Sequence, residues 1–223
     1  MLQQINLRPA FFIPLFVLLL LSFMSCLLIP KQISFLFLNN FHTKWMDVFF
    51  TIYTFIGDGL ISIATVILLA FFNKRKEAIT LLCAYLLSGL AAQLVKHLFD
   101  EPRPRLYFEQ SKLVYSHFVK DVVVFGSGSF PSGHSASAFA MATVFALLFN
   151  NKRISFIAFI LAVLVGYSRI YLALHFLQDV IAGAFIGVFF GMLSYYFIWQ
   201  QKKSFPFRQS FTNNTDIGLY STN

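Results

Sequence analysis

The chain has 223 residues, of which 58% are hydrophobic and 12% charged, and its mean hydropathy is +0.72. Soluble domains carry about 25% charged residues, so this composition excludes an ordinary soluble enzyme and indicates a helical membrane protein. The net charge of +8 would suit a nucleic-acid partner. The basic residues, however, lie between apolar segments rather than on one soluble face, so we assign them to membrane topology and to an anionic ligand.

Six apolar segments follow one another along the chain and predict an all-α bundle of six transmembrane helices in one domain, residues 1–200. The first runs from Ala10 to Ile29 and lacks the small-residue cleavage site of a signal peptide, so we predict an uncleaved span. The other five predicted spans are Gly59–Phe72, Ala78–Val95, Ser132–Phe149, Ile154 to about Ser168, and Val180–Trp199. A polar tail, residues 201–223, is expected in the cytoplasm.

The segment before the second span is apolar and rich in aromatic residues. It predicts an interfacial helix that starts at about Lys44, followed by a break near Gly57-Asp58-Gly59. The sequence does not assign a role to Asp58 or to the outer loop, residues 105–130.

Basic residues predict the orientation. Four basic sites fall on one side of a six-span chain, and the positive-inside rule makes that side cytoplasmic. They are Arg8, the turn Lys74–Lys76, the turn Lys152–Arg153, and Lys202-Lys203. If the source is bacterial, the opposite face lies on the periplasmic side of the inner membrane.

Small residues recur every four positions on two predicted spans, which lets helix backbones approach closely in lipid. We expect this pattern to serve packing inside the bundle rather than a dimer interface, and the oligomeric state stays open. The residues are Gly183, Gly187 and Gly191, and Ala84, Ser88 and Ala92. Cys26 and Cys83 are predicted near opposite membrane faces, too far apart for a disulfide.

Charged and polar residues from four helix ends converge on the predicted outer face. Lys96, Arg103 and Arg169 are three cations whose burial near lipid is costly, and a phosphate group would offset that cost. Ser132 and Gly133 open a predicted helix, and a helix N-terminus also favours phosphate. The sequence therefore predicts a phosphate site at this face.

Two histidines supply the chemistry of a phosphoryl transfer. His175 and Asp179 are four residues apart, so on a helix they would share one face, and the carboxylate would fix the tautomer of a nucleophilic imidazole. His134 would donate a proton to the leaving oxygen and later act as base. A His–His–Asp cluster is also a possible metal site, but three adjacent cations argue against a divalent ion, so no metal and no cofactor is expected. His42, His97 and His117 are interpreted as polar anchors.

These residues resemble a known signature. The chain is similar to the type 2 phosphatidic acid phosphatase family, whose soluble relatives include vanadium haloperoxidases. The matching motifs are Lys96-x6-Arg103-Pro104, Pro131-Ser132-Gly133-His134 and Ser168-Arg169-x5-His175-x3-Asp179. The resemblance implies a metal-independent phosphatase with His175 as nucleophile, Asp179 as its orienting partner and His134 as acid and base. It also implies that Lys96, Arg103, Ser132, Gly133 and Arg169 hold the phosphate.

The expected partner is a phosphorylated membrane lipid, because the site lies at the ends of membrane helices. Phosphatidate, phosphatidylglycerol phosphate, undecaprenyl diphosphate and lipid A phosphates all remain open. A lipid phosphotransferase would use the same residues. A catalytically silent lipid-phosphate binder or transporter is a further alternative, although it would not need His134, His175 and Asp179.

Overall fold

The computed structural model describes residues 8–111, 113, 115, 117–119, 122, 126–149 and 151–200, so the predicted tail lies outside the described residues. The described residues form helices and no strands, which confirms the predicted all-α class. The helices are α1 (Pro9–Leu28), α2 (Lys31–Leu38), α3 (Lys44–Tyr53), α4 (Gly59–Phe71), α5 (Arg75–Leu98), α6 (Pro104–Ser111), α7 (Gly133–Leu148), α8 (Lys152–Tyr171) and α9 (Leu177–Tyr195).

Several of these helices are long and apolar enough to cross a membrane. Within the described ranges, α1, α5, α8 and α9 qualify singly, and α3 with α4 forms a fifth candidate that is bent by 54°. Helix α7 has only 16 residues, or about 24 Å at 1.5 Å per residue, and a bilayer core is about 30 Å thick. The chain is thus an integral membrane protein, while the count of six spans stays a prediction.

The predicted break before the second span is confirmed. Helix α3 ends at Tyr53, a 3-10 turn covers Thr54–Gly57, and α4 starts at Gly59 with Asp58 as its N-cap. A Cβ added to Gly57 would lie 2.9 Å from the carbonyl oxygen of His134, so only glycine allows the break to approach α7 this closely.

Helix α7 forms the centre of the bundle. It packs against α5, α8 and α9, and 11 of its 16 residues are buried. Gly183, Gly187 and Gly191 of α9 face the backbone or Thr143 of α7, which confirms that this small-residue stripe packs inside the bundle. Ala84, Ser88 and Ala92 of α5 are buried as well, and Cys26 and Cys83 are not bonded to each other.

Two short helices at the predicted outer face were not foreseen, because eight residues give little periodicity. Helix α6 starts directly after Arg103, whose carbonyl accepts a hydrogen bond from Tyr107 N at 2.9 Å. Phe108 of α6 packs against Phe35 of α2, and Phe35 packs against Phe176 before α9. This aromatic contact fixes the segment that carries Arg103.

Replacement of Gly187 by alanine should destabilise the bundle, because the added Cβ would lie 2.8 Å from the backbone nitrogen of Ala140. Overpacking of this kind costs about 1–3 kcal/mol, which corresponds to a fall of about 5 °C in unfolding temperature for a chain of this size. The measurement is thermal unfolding of the purified protein in detergent. Gly89→Ala is the matched control, since no other helix or loop in the described part of the chain comes within 4 Å of a Cβ at that position of α5. Equal unfolding temperatures for both variants would contradict the packing account.

Candidate active site

The ends of α5, α7 and α8 and the segments beside them line one open cavity of about 420 Å³. Six of the eight residues singled out from the sequence line it: Lys96, Arg103, Gly133, His134, Arg169 and His175. The other two, Ser132 and Asp179, are fully buried. Residues separated by up to 79 positions in the sequence therefore meet in one place. This agrees with the prediction that charged and polar residues from several helix ends converge on one membrane face.

The start of α7 is open to the cavity. Ser132 is the N-cap, and its Oγ accepts a hydrogen bond from Ser135 N at 3.3 Å and from Ser135 Oγ at 2.9 Å. Apart from the glycine's chain neighbours and the backbone of its own helix, no heavy atom of the described residues lies within 4 Å of a Cβ added to Gly133. An anion in the cavity can therefore approach the backbone N–H groups of the first helical turn, where the helix dipole favours negative charge. Ser132 supports that turn as a cap.

Arg169 is the most deeply placed cation of the site, with 6% of the residue exposed. Its Nη1 donates a hydrogen bond to Thr54 Oγ1 at 2.6 Å, and its buried Nε has no hydrogen-bond partner among the described residues. A buried guanidinium with an unused donor is costly unless an acceptor completes it. The geometry is that of an anion site, and Thr54 is a residue that the sequence analysis missed.

Lys96 and Arg103 are both held by the backbone of one loop. Lys96 Nζ donates to the carbonyl of Gly128 at 2.9 Å, and Arg103 Nε donates to the carbonyl of Ser127 at 3.3 Å. Gly128 has a φ of +69°, a conformation that favours glycine. This loop thus keeps two cations beside the cavity in defined positions.

His175 and Asp179 are brought together, but the predicted reason was wrong. His175 does not lie on a helix: Phe176 is the N-cap of α9, and Asp179 is its third helical residue. Asp179 Oδ2 reaches back to accept the N–H of Phe176 at 2.9 Å, which places it 3.5 Å from His175 Nδ1. A helix-capping carboxylate, rather than a shared helix face, makes the pair.

Burial determines the charge of His175, of which 2% is exposed. Burial lowers the pKa of His175 to about 4, and the nearby Arg169 and Arg103 act in the same direction while Asp179 opposes them. The imidazole is therefore neutral near neutral pH, which is the form with a nucleophilic lone pair. With Nδ1 directed at Asp179, Nε2 is the ring nitrogen left to contact a ligand in the cavity.

Ser129 is a second residue that the sequence analysis missed. It is fully buried, and its hydroxyl donates a hydrogen bond to Asp179 Oδ2 at 2.6 Å. It lies 50 residues before its partner in a stretch of glycines and serines. No local pattern distinguishes it from other serines of that loop, so only the fold reveals the contact.

One group of potential metal ligands occurs in the described part of the chain, and it does not include His134, His175 or Asp179. His42, Asp47 and His117 have ligand atoms within 4.8 Å of one another. His42 Nε2 lies 2.6 Å from Asn39 Oδ1, and the His42 and His117 rings are in contact with centroids 3.8 Å apart and planes tilted by 39°. These are the contacts of a hydrogen-bonded polar network, and the residues do not line the cavity.

The sequence profile of the PAP2 superfamily matches residues 77–203. The chain belongs to the PAP2 superfamily, as the three-part signature predicted. A lipid A 1-phosphatase of Rhizobium johnstonii is 36% identical over 107 residues, which are 48% of this chain and 42% of that protein. A lipid A 4'-phosphatase of Porphyromonas gingivalis is 29% identical over 175 residues, which are 77% of this chain and 74% of that protein.

Solved structures agree with this assignment. The Aquifex aeolicus LpxE structure has 35% sequence identity and a TM-score of 0.59, and the match covers 72% of this chain and 91% of that one. A PAP2-type phosphatidylglycerolphosphate phosphatase from Bacillus subtilis has a TM-score of 0.63 at 23% identity, covering 88% of this chain and 98% of that one. The second similarity supports the fold alone.

Arg169→Lys should weaken the binding of orthovanadate, a phosphate analogue, about tenfold or more. An ammonium group cannot hold Thr54 and also offer the guanidinium fork to an oxyanion. Isothermal titration of the detergent-solubilised protein gives the Kd. Arg153→Lys is the control, because Arg153 lies exposed at the other end of the same helix. If both variants bound vanadate as tightly as the wild type, Arg169 would not be part of the anion site.

Proposed function

We propose that the chain is an integral-membrane phosphatase of lipid phosphates or diphosphates that acts through a phosphohistidine intermediate. One observation carries the proposal: a single cavity at the ends of apolar helices is lined by His175, His134 and three cations, and Asp179 lies buried behind His175. Residues 1–200 would form the phosphatase domain. Membership of the PAP2 superfamily supports the reaction class.

In the first step, Lys96, Arg103, Arg169 and the start of α7 would hold the phosphoryl oxygens. His175 Nε2 would attack phosphorus, a P–N bond would form, and the P–O bond to the lipid would break. His134 would donate its proton to the leaving oxygen as that bond breaks. The cations would stabilise the charge that develops on the transferring group.

In the second step, neutral His134 would take a proton from water, whose oxygen attacks phosphorus. The P–N bond would break, inorganic phosphate would leave, and His175 would return to its starting form. Asp179, itself fixed by Ser129 and Phe176 N, would hold the imidazole in one orientation throughout.

The substrate class follows from the position of the site. A phosphate cavity at the ends of membrane helices can receive the head group of a lipid in the adjacent leaflet. The relatives include lipid A phosphatases, a phosphatidylglycerophosphatase B of Bacillus subtilis and an undecaprenyl-diphosphatase of Sulfolobus acidocaldarius. Lipid A phosphates are the first candidates to test, because a lipid A phosphatase and the LpxE structure share about a third of their aligned residues with this chain.

The purified protein should release phosphate from at least one lipid of this panel in detergent that contains EDTA. His175→Ala should lower turnover about 10³-fold, as the loss of a covalent nucleophile does. Asp179→Asn should lower turnover by a smaller factor, since a poorly held imidazole can still attack. His97→Ala is the control, because His97 is exposed on α5 outside the cavity. Near-normal activity of His175→Ala would refute the covalent mechanism.

The same assay separates the alternative functions. A phosphotransferase would release little phosphate until a second lipid with a free hydroxyl is added, and the label of a ³²P-substrate would then appear in that lipid. A silent binder would bind the lipid phosphate with no release from any substrate. Inactivation by EDTA that Zn²⁺ or Mg²⁺ reverses would show metal dependence, which the three cations of the cavity argue against.

We propose that the cavity faces away from the cytoplasm. The basic turns at Lys74–Lys76 and Lys152–Arg153 lie at the opposite ends of α5 and α8 from Lys96 and Arg169. By the positive-inside rule those turns are cytoplasmic. In a bacterium the enzyme would then act on lipids of the periplasmic leaflet of the inner membrane.

Single cysteines should report this sidedness once Cys26 and Cys83 are replaced by alanine. Ser111→Cys lies at the exposed end of α6, the helix that follows Arg103 of the cavity. Lys74→Cys lies in a basic turn at the opposite end of α5. A membrane-impermeant maleimide added to intact spheroplasts should label the cysteine at position 111 and spare that at 74. The reverse pattern would place the cavity on the cytoplasmic side, and lysed cells, in which both sites should react, serve as the control.

A further inference from the structure

Asp58 occupies the break between α3 and α4, a place where a carboxylate has two separate neighbours. Its Oδ1 accepts the backbone N–H of Leu60 at 2.9 Å and so caps α4. Its Oδ2 lies 4.0 Å from Nε2 of His134. One oxygen therefore has a structural role, while the other is directed at a residue of the candidate active site.

Asp58 differs in charge from the other groups around His134. The other charged or titratable groups that face His134 are Arg169, His175, Arg103 and Lys96, from α8, from the turn before α9, and from α5 and the loop after it. All of these are basic. Among the described residues, Asp58 is the one acidic side chain within 4.0 Å of a His134 ring nitrogen.

A proton donor needs such a partner. Burial disfavours a protonated imidazole at His134, and the neighbouring cations act in the same direction because like charges repel. A carboxylate opposes that repulsion, and at 4.0 Å it acts through charge rather than through a direct hydrogen bond. Asp58 does not line the cavity, so it can influence the reaction only through its charge, which acts on His134 and also on Arg169.

We infer that Asp58 is a positioning residue that keeps Nε2 of His134 protonated and leaves Nδ1 to exchange a proton with the leaving oxygen and then with water. The inference rests on the proposed phosphatase function. It assigns one carboxylate to each catalytic histidine: Asp179 for His175 and Asp58 for His134. In each pair the carboxylate faces one nitrogen and the chemistry uses the other.

The two steps of the reaction should then respond differently to the loss of this charge. Protonation of the leaving oxygen requires a charged His134, so this step should slow. Nitrophenolate leaves without protonation, so its release does not need the acid. Attack by water requires a neutral His134 as base, and the loss of the Asp58 charge favours that form. A purely structural residue would affect all substrates alike.

The test uses two synthetic substrates with the same long alkyl chain, one an alkyl phosphate and the other a nitrophenyl phosphate. Asp58→Asn keeps an oxygen that can cap α4 and removes the charge. It should lower kcat/KM about tenfold for the alkyl phosphate and less than threefold for the nitrophenyl phosphate. Asp58→Ser, which also retains a capping oxygen, should give the same split if the asparagine variant folds poorly. Glu109→Gln, an exposed carboxylate paired with Arg105, is the control and should change neither rate.

A double-mutant cycle completes the experiment. His134→Ala alone should show the same preference for the nitrophenyl substrate. Asp58→Asn should lower kcat/KM less than twofold when it is added to the His134→Ala variant. Equal losses on both substrates, an unchanged alkyl rate, or full additivity with His134→Ala would each overturn the role of Asp58 while leaving the phosphatase function intact. If the wild type released phosphate from neither substrate, the proposed function would fail and this inference with it.

Discussion

The close approach of α7 and α9 is the constraint on which the site depends. Ser132 N donates a hydrogen bond to the carbonyl of Asp179 at 2.9 Å, which ties the start of one helix to the start of the other. A side chain at Gly183 would collide with the carbonyl of Ser132, so the bond requires a residue without a Cβ. Because α7 carries His134, this packing also fixes the distance between the two histidines.

The cations are arranged around that helix pair by a second principle: each is held by a neutral acceptor. Arg169 bonds to a threonine hydroxyl, and Lys96 and Arg103 bond to backbone carbonyls. A neutral acceptor orients a cation without itself contributing a negative charge. A lysine or arginine in a membrane helix costs about 2.5–3.5 kcal/mol on insertion scales, so a site built this way gains most from an anion with several oxygens.

The sequence predicted the membrane character, most helix ends and the convergence of the eight candidate residues at one end of the bundle, because these depend on hydrophobic periodicity and on charged residues that interrupt it. The roles of those eight residues stay a prediction. It did not predict what orients those residues. Ser129 and Asp179 are 50 positions apart, and Arg169 and Thr54 are 115 apart. Such contacts are decided by which helices pack together, and small polar residues in a loop carry no periodic signal. The prediction that His175 and Asp179 lie together was correct, but its explanation was wrong. Capping turns and helix faces can both bring residues four apart into contact.

The burial of the two histidines suits two different tasks. His175 is 2% exposed, and its carboxylate Asp179 is not exposed at all, so this pair cannot readily exchange protons with water and keeps a neutral imidazole. The side chains of His134 and Asp58 are 30% and 34% exposed, so a proton can pass between this pair and solvent. A reaction that gives a proton to the leaving oxygen and then takes one from water needs the second environment. A nucleophile that must stay unprotonated beside a phosphate needs the first. The fold provides these two environments by placing His175 in the turn before α9 and His134 at the open end of α7.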